Sequence, residues 1–93
     1  MTITNMINKK GNTVPNQFII LDGKKTIFQS YNSKIAEWDG ETLRVFPDWD
    51  YSKTTLKYFK QFINDFTSYT YTTKKEWEKI MQESKNIIFT ITI

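Results

Sequence analysis

The sequence predicts an α+β domain. An antiparallel β-meander spans about residues 17–46, two helices follow over about 53–66 and 74–84, and a C-terminal strand over about 86–92 joins the sheet. Three observations predict it. Two Asx-Gly turn signals, Asp22-Gly23 and Asp39-Gly40, are flanked by runs rich in β-branched and aromatic residues, the short-range mark of hairpins. Leu56, Phe59, Ile63 and Phe66 recur at helical spacing with Phe62 beside them, an amphipathic stripe that should cover a sheet. The terminal run from Asn86 alternates, with Ile87, Phe89, Ile91 and Ile93 on one face and Ile88, Thr90 and Thr92 on the other.

Residues 1–15 mix polar side chains with Lys9, Lys10, Gly11 and Pro15. They read as a loose arm, except that Met1-Thr2-Ile3-Thr4 alternates and has the form of a short edge strand. Gln17–Leu21 forms the first strand of the meander and Thr26–Tyr31 returns as the second. Asn32-Ser33 turns the chain into Lys34–Trp38, and Asp39-Gly40 turns it into Thr42–Phe46. Pro47 ends that strand because proline has no N–H for the ladder. Ser52 is the expected N-cap of the first helix, and Thr73 with Glu76 forms a capping box for the second, whose inward side carries Trp77, Ile80 and Met81. No repeat, linker or low-complexity tract interrupts the chain, so one domain over 1–93 is expected.

The composition excludes more than it selects. The 93 residues contain no cysteine and no histidine. Disulfides, thiolate nucleophiles and Cys-ligated zinc are thereby ruled out, and so are the commonest neutral-pH general base and the commonest transition-metal ligand. No enzyme chemistry and no cofactor are expected. Net charge is +3. Only one of the thirteen basic residues, Arg44, is an arginine, the residue suited to bidentate phosphate or guanine recognition. No apolar run is long enough for a membrane span. Met1–Met6 carries no h-region, so a cytoplasmic location without a secretory leader is expected. The abundance of Lys, Ile, Asn and Thr fits an AT-rich gene, as in a low-GC bacterium or its viruses.

Two surfaces are candidates for function. The first is acidic. Glu37, Asp39, Glu41, Asp48 and Asp50 fall in a stretch whose only base is Arg44, around Trp49 and Tyr51. An acidic rim around an aromatic anchor suits docking on a basic partner surface. The plainer reading is that Asp39 serves a turn, Asp48 and Asp50 favour the positive end of the following helix, and Trp49 packs on the sheet. Asp48 and Asp50 alone supply too few oxygens for a metal site, and no ion-binding loop accompanies them. The second surface is basic: Lys53, Lys57 and Lys60 share a helix stripe near Tyr58, Tyr69 and Tyr71. Together with Lys9 and Lys10 they could bind nucleic acid by charge and stacking. The apolar strand Ile87–Ile93, if left as an edge, would invite strand addition from a twin copy or a partner.

Three blocks carry a family resemblance: Asn16–Ile20, Ile27–Glu37 (Ile-Phe-Gln-Ser-Tyr-Asn-Ser-Lys-Ile-Ala-Glu), and Trp49–Tyr58 (Trp-Asp-Tyr-Ser-Lys-Thr-Thr-Leu-Lys-Tyr) with Gln61-Phe62. Over about residues 16–66 the chain resembles a family of small proteins of unknown function carried by phages and prophages of low-GC Gram-positive bacteria. The resemblance transfers no catalytic residue. It implies a short phage gene product acting in the host cytoplasm, and proteins of that kind often bind and inhibit a host machine, CRISPR effectors among them. The leading expectation is therefore a non-catalytic inhibitor of a host defence complex, acting by protein–protein contact through the acidic surface. The alternative is a small nucleic-acid-binding accessory protein using the lysine and aromatic face.

Overall fold

The computed structural model describes residues 1–83 and 89–92. Five strands run as a sequential antiparallel meander: β1 (Thr2–Ile7), β2 (Thr13–Asp22), β3 (Lys25–Ser30), β4 (Ser33–Trp38) and β5 (Thr42–Val45). A 3-10 turn (Pro47–Asp50) leads into α1 (Lys53–Phe66), and α2 (Lys74–Glu83) follows. The backbone of Phe89–Thr92, β6, lies antiparallel beside β5. The remainder of the expected C-terminal strand, 86–88 and 93, lies outside the described residues.

The α+β class read from the sequence is the class the structure has. Gly23 and Gly40 take positive φ (61° and 98°) at the two hairpin turns, the backbone region glycine enters without a steric penalty. The β3–β4 turn is tighter than Asn32-Ser33 suggested, because Ser30 already pairs with Ser33 and Tyr31 takes the left-handed position (φ 55°).

Opposed residues in an antiparallel ladder share a face, so the pairing register sorts the side chains into two layers. Thr4, Ile19, Phe28, Ala36 and Val45 form one cross-strand row, and α1 lays Phe59, Phe62 and Ile63 against that face. Phe28 stacks on Phe62 at 5.8 Å between ring centroids. A bulge in β4 brings Ile35 inward beside Ala36, and both are fully buried. Trp77 of α2 joins the same core, edge-on to Phe59 at 5.7 Å. The opposite row runs Ile3, Ile20, Ile27, Glu37, Arg44. It lies on the face that neither helix core packs against.

The N-terminal segment is held in place. Residues 2–5 pair in register with 18–21, Ile7 pairs with Thr13, and Met6 is 2% exposed in the core with Val14. The short edge strand expected at residues 1–4 runs on to Ile7, and Thr13–Pro15, expected in a loose arm, already belong to β2. The alternation at positions 2–4 does not extend to Met6, which is out of phase with the exposed Ile3 and is buried in the core with Phe59, Phe62 and Ile63 of α1.

Candidate functional site

The acidic set does not assemble into one surface. Glu37 is 5% exposed. It sits in the second row of the sheet with Lys25, Lys34 and Arg44 at 3.3, 3.4 and 3.5 Å from its carboxylate oxygens. Each of the three cations is about half exposed, so they form a lid over a buried carboxylate. Trp49 is 6% exposed and packs on Phe59 at 5.3 Å. It is a core residue and offers a partner no anchor. The plainer sequence reading of Trp49 describes its position, since the 3-10 turn points it under α1.

The remaining acids divide between the two ends of β5. Asp39 and Glu41 lie in the β4–β5 turn, beside the β2–β3 turn with Lys24 and Lys25. Asp39 Oδ1 accepts hydrogen bonds from Glu41 N at 2.9 Å and Thr42 N at 2.7 Å. The Thr42 and Glu41 amides hold its carboxyl below the ordinary value of 3.8. Asp39 therefore serves its turn. Asp48 and Asp50 lie beyond the other end of β5, about 13 Å of strand away at the usual rise per residue. Asp50 reaches Lys74 Nζ at 3.8 Å. Tyr51 remains, 61% exposed, directly after the turn. Among the described residues no group of three His, Cys, Asp or Glu side chains is placed to hold a metal ion.

The basic residues do assemble. A cleft of about 650 Å³ opens between the β1–β2 connection and α1, and Lys9, Lys10, Lys57 and Lys60 line it with Asp65 as the single carboxylate. Two local structures build it. Asn8 Oδ1 accepts from the backbone N–H groups of Lys10 and Asn12, both at 3.0 Å, and Gly11 N donates to the Asn8 carbonyl at 2.9 Å. This closes the loop so that Lys9 and Lys10 sit at its tip. Gln61 Nε2 donates to the Ile7 carbonyl at 2.7 Å, tying α1 to the end of β1. Lys57 and Lys60, one turn apart, then face the loop. Lys53, a further turn back, is exposed but does not line the cleft.

Of the tyrosines expected on the basic face, one enters the core and two pack half-buried against it, Tyr71 also lining the cleft. Tyr58 is buried. Tyr69 lies edge-on to Trp38 at 5.8 Å. Tyr71 stacks on Trp77 at 5.8 Å with 6° between the rings, and the Lys60 ammonium stands 5.2 Å above it. Burial, then the Glu78 and Asp50 carboxylates, push the Tyr71 phenol above its ordinary value. Sequence reasoning named all four cleft lysines. It did not find Gln61 as the clamp or Asn8 as the loop former, since both act through backbone groups of residues that are remote or in an irregular turn.

The fold and site define a small α+β domain with a lysine-lined cleft. Residues 1–79 match the model described as "Family of unknown function (DUF8033)", and the chain belongs to that family. Neither the curated proteins nor the solved structures contain a match. No helix among the described residues is long and apolar enough to cross a membrane.

Proposed function

We propose that this is a non-catalytic binding protein whose working surface is the lysine cleft, and that the cleft engages the phosphate backbone of nucleic acid. One observation carries the reading: four lysines from two segments nearly fifty residues apart converge on one cleft against a single carboxylate. Like charges repel, so folding brings them together at a cost that an anionic ligand would remove. The resemblance to phage proteins supports a setting for this contact. In the cytoplasm of an infected or lysogenic bacterium, the protein would obstruct nucleic acid handled by a host defence complex, an anti-CRISPR-like role.

Fluorescence anisotropy with a labelled single-stranded 20-mer at low salt tests the binding. The expected result is binding that weakens at least about tenfold in Lys57→Glu/Lys60→Glu, because charge supplies most of such affinity, with the thermal melt unchanged. No binding by the wild-type chain, or equal binding by the double variant, overturns the reading.

A second reading, direct contact with a host protein, is favoured by Tyr51, an exposed aromatic beside Asp48 and Asp50. Tyrosine is a residue type that anchors interfaces. It predicts that Tyr51→Ala/Asp48→Lys loses a partner recovered from host lysate by the wild-type protein. Retention of that partner by the double variant removes this reading.

A further inference from the structure

The chemistry of the cleft lining limits what part of a nucleic acid it can contact. Recognition of single strands combines charge with bases stacked on aromatic faces, and base edges are read most specifically by bidentate side chains such as Arg, Asn or Gln. The cleft has no arginine, no amide with both ends free and no aromatic with an open face. Its one aromatic, Tyr71, already carries Trp77 in parallel stacking, the Lys60 ammonium above the ring and the edge of Phe59 at 6.2 Å. Its three amides each commit one end to the protein. Asn8 Oδ1 holds Lys10 N and Asn12 N, Gln61 Nε2 holds the Ile7 carbonyl, and Asn64 Oδ1 accepts from Tyr71 N at 2.8 Å. The charge offered to a ligand is that of four lysine ammonium groups, compact point charges suited to phosphate contacts, which position a strand and carry little sequence information.

We infer that the cleft binds nucleic acid through consecutive phosphates alone, with no base stacking and no base-edge readout. The ligand class is a phosphodiester backbone, single- or double-stranded, of any sequence. This rests on the nucleic-acid reading of the cleft and makes it specific. It excludes the stacking component that a face of lysines and tyrosines would supply.

Three matched probes test it on the full chain: a dT oligomer, a dA oligomer, and an abasic deoxyribose-phosphate oligomer of the same length. All three are expected to bind within about twofold of one another, since the charge they present is the same. Four lysines opposed by Asp65 leave about three net charges, so single-strand binding should weaken about 20-fold between 50 and 200 mM salt. Replacing Lys60 by Gln should lower that slope by about 0.7, and Lys53→Gln, outside the cleft, should leave it unchanged. A loss of tenfold or more for the abasic probe, or a tenfold preference for dA over dT, overturns the phosphate-only inference while leaving nucleic-acid binding intact. Failure of all three probes to bind overturns both.

Discussion

Single residues decide how the acidic set divides in the fold. Glu37 belongs to the acidic set by sequence, but its position in the ladder makes it the counter-ion of Lys25, Lys34 and Arg44. Removing its charge leaves three cations facing one another on a flat sheet. Exposed pairs contribute little individually, whereas removing the partner of a buried charge costs more. Because the carboxylate is buried and the cations half exposed, Glu37→Gln should cost about 1–2 kcal/mol, between those limits. For a domain of this size that lowers Tm by several degrees, more at low salt than at high, which melts at two ionic strengths would show. A Tm equal to wild type at low salt would contradict this account of Glu37. Tyr71 gives a pH-dependent case. Its phenol holds its proton above the ordinary value of 10.0 in the folded state, through burial and the Glu78 and Asp50 carboxylates. The unfolded chain releases that proton at the ordinary value, so above it the unfolded state binds fewer protons than the folded one. Stability must then fall as pH rises through about 10 and level off once the folded phenol ionises. Tyr71→Phe should remove this part of the alkaline loss. The two proteins differ only in this hydroxyl, so the difference between their stability–pH curves reports the phenol. Parallel curves from pH 9 to 11 would rule out the mechanism.

At the level of elements, α1 shows what was legible in the sequence and what was not. Its bounds and its cap were readable from local signals: Ser52 is extended at the N-cap, and its Oγ accepts from Thr55 N at 3.0 Å. The capping box of α2 likewise shows Thr73 Oγ1 accepting from Glu76 N at 3.1 Å. The orientation of α1 was less readable. The stripe Leu56, Phe59, Ile63, Phe66 is rotated in the structure, so that Thr55 and Tyr58 are buried, Leu56 is half-buried and Phe66 is partly exposed. Thr55 turns inward because its hydroxyl meets Ser30 Oγ at 2.9 Å and receives a hydrogen bond from Ser52 Oγ at 2.9 Å. A buried hydroxyl is tolerated when partnered, and no periodicity rule reveals a partner 25 residues away. The same rotation brings Lys57 and Lys60 to the cleft and leaves Lys53 outside. Ser52→Ala removes both the cap and one end of the hydroxyl chain. It should cost about 1–2 kcal/mol, the upper part of the range for N-caps. Urea unfolding with an unchanged m-value would register it, and a midpoint shift near zero would mean that the chain Ser52–Thr55–Ser30 does not support the helix.

For the whole molecule, the sequence conveyed the meander and the helices because each is written in local pattern, turn chemistry and spacing. It underdescribed the N-terminal segment, whose order depends on contacts made across the whole chain. Met6 becomes a core residue only when α1 closes over the sheet, and the clamp from Gln61 to the Ile7 carbonyl spans 54 positions. The candidate cleft was half legible for the same reason. Its lysines could be named, but their convergence needs β1 to be part of the sheet, and the stacking that occupies Tyr71 needs Trp77 of α2 in place. This argues for a test of β1 as a structural element and not as a carrier of two lysines. Deleting residues 1–10 removes Lys9 and Lys10, and also takes away Met6 and the partner of one side of β2. The unpaired β2 would then present Phe18–Leu21 as an apolar edge, a template for association with other chains. Loss of a buried methionine alone costs about 2–5 kcal/mol, a large share of the stability of a domain this small. The truncated chain should therefore melt at least about 10 °C lower and associate in light scattering. Lys9→Gln/Lys10→Gln, by contrast, should melt as the wild type does and lose affinity for nucleic acid. A truncated chain that stays monomeric with the wild-type Tm would return residues 1–10 to the status of an arm and take the cleft's preorganisation with it.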